Sequence, residues 1–349
     1  MKSVALKAAS VFTHPAPPHD FLALLNPLSS ARQLRGVVTA VRPETTNSTT
    51  IAFRPGTGWS PHSAGQWARI GVEIDGVRQW RSYSLSAAAG NNPEITVTAC
   101  GRVSSQLAHQ TRVGDIFFLA PPQGNFVLPC GPRPLLMLTV GSGITPVMSM
   151  IRTLIPCRND ADVVLVHSAR NQDSALFSAE LAELAATHPG LHVVHRFTAE
   201  TGRINFNSTT DIDVICPDWR SRKTYVCGPN EMLDAVNTLW QQANHPDSLT
   251  VERFATATLA EVEGHGGTVT FEKSDREVVV DGSTPLLEVG EGAGVLMPSG
   301  CRMGICRTCL TPLLSGQVRD LRTGEILSAE GDLIQTCISA ATGDCHLAR

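Results

Sequence analysis

A chain of 349 residues with 42% hydrophobic and 17% charged side chains has apolar material for two or three separate cores, and no apolar run approaches the ~18 residues of a membrane helix. A formal net charge of −4, with no basic stripe interleaved with aromatics, argues against nucleic acid as a partner. Ten cysteines follow an opening, MKSVALKAASVFTHPAPPHD, that lacks the apolar core of an export signal, so metal or redox chemistry in the cytoplasm is expected rather than a disulfide framework.

Residues 1–33 read as an irregular to helical leader in which FLALLNPL (21–28) forms one short apolar helix stopped by Pro27. From 34 to 131 short alternating strands are broken by Gly and Pro: LRGVVTAVRPE, TTIAFRP, ARIGVEIDG, QWRSYSLS, EITVTAC and GDIFFLAPP. That rhythm predicts an antiparallel β-barrel. Over 132–253 continuous apolar strands alternate with helices: PLLMLTV, a Gly turn and a helix over 145–154, DVVLVHSA, a helix over 176–186, LHVVHRF, KTYVCGP and a helix over 230–243. Buried strands separated by helices form βαβ units, hence an α/β domain on a parallel sheet. A linker at 254–264 leads to 265–349, where GGTVTFEKSDREVVVDG alternates around a hairpin, TPLLEVGEGAG reads as a helix, and a cysteine-rich loop follows. The expected fold is therefore multidomain, with a small α+β domain last.

In RSYSLS (81–86), Arg81 can pair bidentately with a pyrophosphate, Tyr83 can stack on a flat ring and Ser84 can aim a hydroxyl at a ring nitrogen. Taken alone, Arg and Tyr on a strand are usually just a half-exposed sheet face. Together with GRVSSQL (101–107) the segment resembles the ferredoxin–NADP reductase superfamily, whose R-x-Y-S and later G-x-V-S segments bind flavin. The resemblance implies FAD, with FMN as the alternative. It puts Arg81 on phosphate, Tyr83 along the isoalloxazine and ribityl region, Ser84 near flavin N5, and Gly101, Val103, Ser104 and Ser105 along the pyrophosphate; Ser82 and Thr98 join the flavin-binding set. APPQGNF (120–126) resembles the family's Pro/Gly turn that closes the barrel.

TVGSGITPVMSMI (139–151) is a strand, a Gly turn and a helix whose positive end suits a diphosphate. It does not meet the G-x-G-x-x-G fingerprint, and a lone Gly turn is equally a tight βα connection. It resembles the superfamily's G-[ST]-G-x-T-P, which implies that Gly141, Gly143, Ile144, Thr145 and Pro146 hold a nicotinamide coenzyme, Thr145 close to the flavin. CGPNEML (227–233) resembles C-G-P-x-x-M, implying Cys227 beside the nicotinamide, Gly228 and Pro229 turning the chain beneath it, and Met232 in the same site. VERFA (251–255) resembles the segment that brings an acidic and an aromatic residue, here Glu252 and Phe254, to the flavin face; linker packing is the other reading. Ser84, Thr145, Cys227 and Glu252 form the expected catalytic set, with Cys227 positioning rather than covalent. A 2′-phosphate needs cations or hydroxyls beyond the third strand of this domain, and HRFTAETGR (195–203) offers Arg196, Thr198 and Arg203, with Arg170, Arg222 and Lys223 contributing. NADPH is expected on that basis; Glu200, which could accept ribose hydroxyls, keeps NADH as the alternative. His167 and His195 read as strand or surface residues rather than ligands.

SGCRMGICRTC (299–309) contains Cys301-x4-Cys306-x2-Cys309, and Cys337 follows in IQTCIS. Composition alone would produce the three-cysteine spacing on the order of 0.01 times per chain. Thiolates suit iron and bridging sulfide, and a glycine-containing loop can aim N–H groups at cluster sulfurs. Zinc is the alternative, although it usually takes paired C-x2-C knuckles at both ends, and Cys337 stands alone. Residues 265–349 resemble the plant-type ferredoxin domain, implying a β-grasp fold and a [2Fe–2S] cluster on Cys301, Cys306, Cys309 and Cys337; Cys345 reads as an ordinary thiol.

The order of modules over 34–349 resembles the single-chain NAD(P)H oxidoreductases that feed oxygenases, hydroxylases and desaturases. The resemblance implies hydride transfer from NAD(P)H to flavin, single electrons to the cluster, and a transiently bound acceptor; the cofactors carry the chemistry. The leader resembles that of reductases serving membrane-bound desaturases and alkane hydroxylases. The expected partner is thus a di-iron desaturase or hydroxylase met at the membrane surface, docking near Arg302, Met303 and Arg307. A soluble aromatic-ring or phenylacetyl-type oxygenase is the alternative, and a redox sensor or binding protein without turnover is the alternative of another class.

Overall fold

The computed structural model describes residues 26–29, 33–74, 77–128, 131, 133–254, 266–300, 304, 307–321, 324–328 and 331–349. Within these the chain divides into two compact units, Met1–Phe254 and Ala255–Arg349. The helix expected over 21–28 lies outside the described residues up to position 25, and Pro27 opens a 3₁₀ turn, Pro27–Ser29, instead of ending a helix.

The first unit begins with six antiparallel strands: β1 (Arg35–Thr45), β2 (Ser48–Pro55), β3 (Trp67–Ile74), β4 (Val77–Ser84), β5 (Glu94–Thr98) and β6 (Ile116–Leu119). They run in the order β4-β3-β6-β1-β2-β5, and a bridge between Leu85 and Ile95 joins the two ends of that order, closing the barrel. Gln123 bridges Trp67 beside β3. Ile51, Phe53, Ile70, Leu85, Ile95 and Leu119 fill the interior, each worth about 1.5–3 kcal/mol when fully buried. β2 is buried on both faces over its first six residues because α1 (Arg102–Gln110) covers its outer side, where Thr49 Oγ1 donates to the Ala108 carbonyl at 2.8 Å.

Next comes a parallel sheet of β7 (Leu135–Val140), β8 (Val163–Ala169), β9 (Leu191–Phe197), β10 (Lys223–Cys227) and β11 (Leu249–Glu252), in the order β11-β10-β7-β8-β9. The connecting helices are α2 (Ile144–Leu154), α3 (Ser178–Thr187), α4 (Thr198–Thr201), α5 (Thr210–Ile215) and α6 (Asn230–Gln242). Alternate strand residues feed two cores. Leu135, Met137, Val163 and Tyr225 join α2 and α3, whereas Leu136, Leu138, Val166 and Val226 join α6 and the Trp219–Trp240 pair. α3 starts two residues later than its sequence pattern suggests, because Phe177 takes a left-handed conformation (φ 58°) and turns Leu176 and itself into the core. The chain runs outward from β7 to β9 and returns to β10, so the strand order reverses between β7 and β10. In open α/β sheets ligands bind outside the carboxyl ends at such a point.

The second unit holds β12 (Gly267–Phe271), β13 (Arg276–Val280), α7 (Leu286–Gly292), β14 (Leu310–Asp320), β15 (Ile326–Leu327), β16 (Leu333–Gln335) and β17 (Ser339–Leu347). Its mixed sheet runs β13-β12-β17-β14-β15, with β12 and β17 parallel and β16 paired to β14. The β12–β13 hairpin turns through Asp275 in the left-handed region. α7 packs Leu286, Leu287 and Val289 into a core shared with Phe271, Leu313, Ile338 and the thiols of Cys309, Cys337 and Cys345. Among the described residues no helix is long and apolar enough to cross a membrane.

Candidate functional site

Two backbone turns meet at the strand-order reversal of the parallel sheet. β7 leaves into the 3₁₀ turn Gly141–Gly143 and then α2, while β10 ends at Cys227 and leads through Gly228 and Pro229 into α6. A Cβ on Gly143 would lie 2.2 Å from the Cys227 carbonyl oxygen, so the turns pack backbone against backbone and only glycine fits there. Gly141 has φ 54°, a left-handed conformation that glycine adopts without strain. Ile144, Thr145 and Pro146 are buried in the first turn of α2, and Thr145 Oγ1 donates to the Ser142 carbonyl at 2.9 Å, capping its own turn. Met232 of α6 closes over Gly228, its Sδ 3.2 Å from where a Cβ would sit.

Register then produces something that sequence reading missed. Glu252 pairs with Cys227, Cys227 with Thr139, Thr139 with His167, and His167 with His195 across all five strands. Paired residues of parallel strands share a face, so one polar row spans the carboxyl end of the sheet. Thr139 Oγ1 lies 2.9 Å from His167 Nδ1 and 3.3 Å from the Val166 carbonyl, while His167 Nε2 and His195 Nδ1 are buried without hydrogen-bond partners. Burial, and then His195, push the His167 imidazole down to about 3. Burial pushes the Cys227 thiol well up, with the neighbouring Glu252 adding to it, and pushes the Glu252 carboxyl up to about 7. No local motif announces this row, because it is made by strand register across separate βαβ units.

The Glu252 shift has a sign that can be tested. Between its ordinary value of 4.5 and about 7 the unfolded chain releases the proton while the folded chain keeps it, so stability falls as pH rises through this window and stays lower above it. Glu252→Gln is expected to be several degrees more thermostable than wild type at pH 8 and equal to it near pH 4.5, by calorimetry. The variant should also lose any inflection near pH 7 in the rate of coenzyme oxidation.

On the barrel side, strand alternation divides the R-x-Y-S residues between two faces. Arg81 and Tyr83 pair with Ile70 and Ala68 on the core-facing side, whereas Ser82 and Ser84 pair with Arg69 and Trp67. Arg81 Nη1 donates to the Trp80 carbonyl at 2.9 Å, and burial raises the Tyr83 phenol. The hydroxyls of Ser82 and Ser84 are buried with no partner, and such groups ordinarily have one, so a polar ring laid against this edge fits the residues present. Three of the expected flavin-binding side chains are engaged elsewhere. Thr98 Oγ1 bonds Ser48 Oγ at 2.9 Å, Val103 lies in the barrel core, and Ser104 Oγ caps α1 by accepting from the Gly101 N–H at 2.9 Å and the Cys100 N–H at 3.0 Å. The Ser105 N–H donates to the Gly101 carbonyl at 2.8 Å, closing the first turn of α1. Phe254 packs half-buried on the α2 side of the sheet.

The residues expected at a 2′-phosphate separate by strand direction. Thr198 opens α4 at the carboxyl end of β9, its Oγ1 3.3 Å from the Ala169 carbonyl, and Arg203 is 85% exposed, 3.5 Å from Glu231. Arg196 caps its own loop by donating to the Thr201 and Gly202 carbonyls at 2.6 and 3.0 Å. Arg222 and Lys223 are a correction. They stand at the start of β10, at the opposite end of the sheet from Cys227. There Arg222 is buried between Asp162 at 2.7 Å and Asp218 at 2.8 Å, and Lys223 Nζ donates to the Asp247 carbonyl at 2.8 Å.

In the second unit Cys309 and Cys337 converge, Sγ to Sγ 3.2 Å, both buried. The facing Cys337 thiol holds Cys309 down to about 6. Thr336 Oγ1 donates to the Cys309 carbonyl at 3.0 Å, and Gln335 Nε2 to the Gly304 carbonyl at 2.9 Å, fixing the loop on both sides. Gly304 and Arg307 turn with φ 70° and 56°. Cys301, Cys306, Arg302 and Met303 lie outside the described residues. Two converging soft ligands, one acidified, fit a thiolate-held cluster. Cys345 sits in the core on β17, paired with Gly316 of β14, its thiol pushed up to about 11 by burial.

The chain matches the models of two families: an oxidoreductase NAD-binding domain over residues 137–238 and a 2Fe–2S iron–sulfur cluster binding domain over 269–342. It is 47% identical to an NADPH oxidoreductase of Mycobacterium tuberculosis across 98% of this chain and 91% of that one. It is 27% identical to the glycine betaine monooxygenase reductase subunit of Chromohalobacter salexigens over 81% of this chain and 86% of the relative. The fold matches that of phthalate dioxygenase reductase with a TM-score of 0.65 at 24% identity, covering 90% of this chain and 97% of the other. The chain belongs to the ferredoxin–NADP reductase family of single-chain reductases that end in a [2Fe–2S] domain. It is an oxidoreductase that uses a nicotinamide coenzyme and an iron–sulfur cluster.

Proposed function

We propose that this reductase carries electrons from NADPH through FAD and its cluster to an iron-dependent oxygenase-type enzyme. The observation that supports the coenzyme site is the contact of the two Gly turns at the strand-order reversal, where Cys227 also pairs with Glu252 of the neighbouring β11. When bound, FAD supplies the conversion from a two-electron hydride donor to one-electron delivery, and the cluster supplies the one-electron outlet. The turn Gly141–Gly143 and the first turn of α2, with Ile144, Thr145 and Pro146, hold the coenzyme diphosphate. Cys227, Gly228, Pro229 and Met232 form the floor under the nicotinamide, and the high thiol pKa keeps Cys227 neutral there. Ser82, Ser84 and the first turn of α1 hold the flavin, with Arg81 and Tyr83 behind them on the other face of β4, and Glu252, near neutrality in its titration, holds or releases a proton beside Cys227. Cys301, Cys306, Cys309 and Cys337 are the cluster ligands.

NADPH is favoured by Thr198 and the exposed Arg203 at the carboxyl end of β9, and by the name of the M. tuberculosis relative. Relatives whose names state an acceptor serve monooxygenases, an N-demethylase or an epoxidase. Within that class the leader resemblance favours a membrane di-iron desaturase or hydroxylase. Reconstitution tests both choices: purified reductase with each coenzyme, combined with a membrane desaturase or with a soluble ring oxygenase. Desaturated product, with kcat/KM for NADPH at least about tenfold above NADH (~1.4 kcal/mol), is expected. Turnover of only the soluble oxygenase reverses the acceptor choice, and a tenfold preference for NADH reverses the coenzyme choice.

A further inference from the structure

One face of α2 binds the barrel. Ser149, Arg152 and Thr153 stand at i, i+3 and i+4 and therefore lie on one side of the helix. Ser149 Oγ donates to the Ala87 carbonyl at 2.5 Å, and Thr153 Oγ1 accepts from the Ala89 N–H at 2.9 Å. Arg152 makes the most contacts of the three. Its Nη1 donates to the Ser86 carbonyl at 2.8 Å and to Glu94 Oε2 at 3.2 Å, while Nε and Nη2 grip Glu180 of α3 bidentately at 2.7 and 2.6 Å. The guanidinium also lies over the Phe177 ring, 5.1 Å from its centre, and its side chain is only 15% exposed.

The partners matter as much as the bonds. Ser86 and Glu94 are the residues that close the barrel, since the Ser86 N–H donates to the Glu94 carbonyl at 2.8 Å beside the Leu85–Ile95 bridge. That seam lies immediately after Ser82 and Ser84, the buried hydroxyls without partners. At its other end α2 begins at the Gly141–Gly143 turn packed on Cys227. An 11-residue helix, about 16 Å long, thus connects the proposed flavin edge to the proposed coenzyme turn. Hydride transfer requires its two carbon and nitrogen centres within about 3–3.5 Å, so the placement of one lobe on the other is a rate-determining variable.

We propose that Arg152 is a positioning residue for hydride transfer: by fastening α2 and α3 to the barrel seam at Ser86 and Glu94, it sets the approach of the nicotinamide to the flavin. Lysine cannot replace it fully, because a single ammonium cannot grip Glu180 bidentately while reaching Ser86 and Glu94. The proposal rests on the coenzyme and flavin sites assigned above, and the experiment separates the two. Stopped-flow reduction of the flavin is followed under anaerobic conditions in wild type, Arg152→Ala, Arg152→Lys and Glu94→Gln, with NADPH and with its 4-deuterated form, alongside flavin content and coenzyme Kd. Absence of hydride transfer in the wild type overturns the site assignment itself. With wild type active, Arg152→Ala is expected to slow the reduction step about 100-fold, the scale of a 1 Å misplacement, with flavin content and coenzyme Kd within about twofold. The deuterium effect on reduction should change, and Arg152→Lys should recover part of the rate. Glu94→Gln, which keeps Arg152 on Glu180 and weakens the barrel side, the Arg42–Glu94 pair at 2.8 Å included, should slow the step with the same unchanged Kd. An unchanged reduction rate in Arg152→Ala and Glu94→Gln overturns the proposal, as does a loss of rate that only follows loss of flavin.

Discussion

Replacing Cys337 or Cys309 with serine is expected to remove the visible and paramagnetic signature of the cluster while leaving hydride uptake from NADPH in place. The two thiols already converge at 3.2 Å, and Thr336 and Gln335 brace the loop from both sides, so the placement of this pair is built into the fold of the second unit. Serine keeps the shape but presents a hard, weakly acidic hydroxyl where iron and sulfide favour thiolate. Changing a residue behind a metal ligand commonly costs 10–100-fold in affinity; losing the ligand itself should cost at least about 100-fold. Reduction of cytochrome c, which needs the one-electron outlet, should fall by a similar factor, and ferricyanide reduction should stay within about twofold. Cys345→Ser is the control. That thiol is a core residue on β17, pushed up to about 11 by burial, so its loss should lower thermal stability and spare the cluster. A normal cluster signal in Cys337→Ser would show that another group holds the fourth position.

The second large effect is expected at Gly143. Its backbone angles, φ −60° and ψ −12°, suit any residue, so alanine would meet no conformational strain. What it meets is the Cys227 carbonyl carbon and oxygen at 2.7 and 2.2 Å, both backbone atoms that can give way only if β10 or α2 shifts. Overpacking of this kind costs about 1–3 kcal/mol. A shift of the diphosphate turn relative to the nicotinamide floor should lower kcat/KM for NADPH about 100-fold, with flavin content unchanged. Gly292→Ala, where nothing lies within 4 Å of the added carbon, should change neither quantity. Unchanged kcat/KM in Gly143→Ala would mean that the two turns do not form one coenzyme site.

The modules were readable because each has its own periodicity. Short alternating strands gave the barrel, continuous runs such as PLLMLTV and VVLVHSA gave the buried parallel strands, and the cysteine spacing pointed to the cluster before any geometry was known. What stayed hidden is what depends on register and strand direction. Arg222 and Lys223 read as coenzyme cations from their charge alone, yet the direction of β10 carries them to the opposite end of the sheet, where Arg222 neutralises Asp162 and Asp218. R-x-Y-S reads as one surface, and alternation divides it between two faces. The row from Glu252 to His195 takes one residue from each of the five strands, so only the paired strands reveal it. Arg152 looks like an ordinary helical arginine until its partners at the barrel seam are seen.

The central claim is that electrons enter from the nicotinamide coenzyme and leave through the cluster of the same chain. An anaerobic titration of the purified holoprotein with NADPH, followed by visible and paramagnetic spectroscopy, tests it most directly. The account predicts that the flavin bands bleach and that the cluster becomes paramagnetic in the same titration, with Cys337→Ser showing only the flavin change. Flavin bleaching with the wild-type cluster left oxidised at every coenzyme concentration would contradict it.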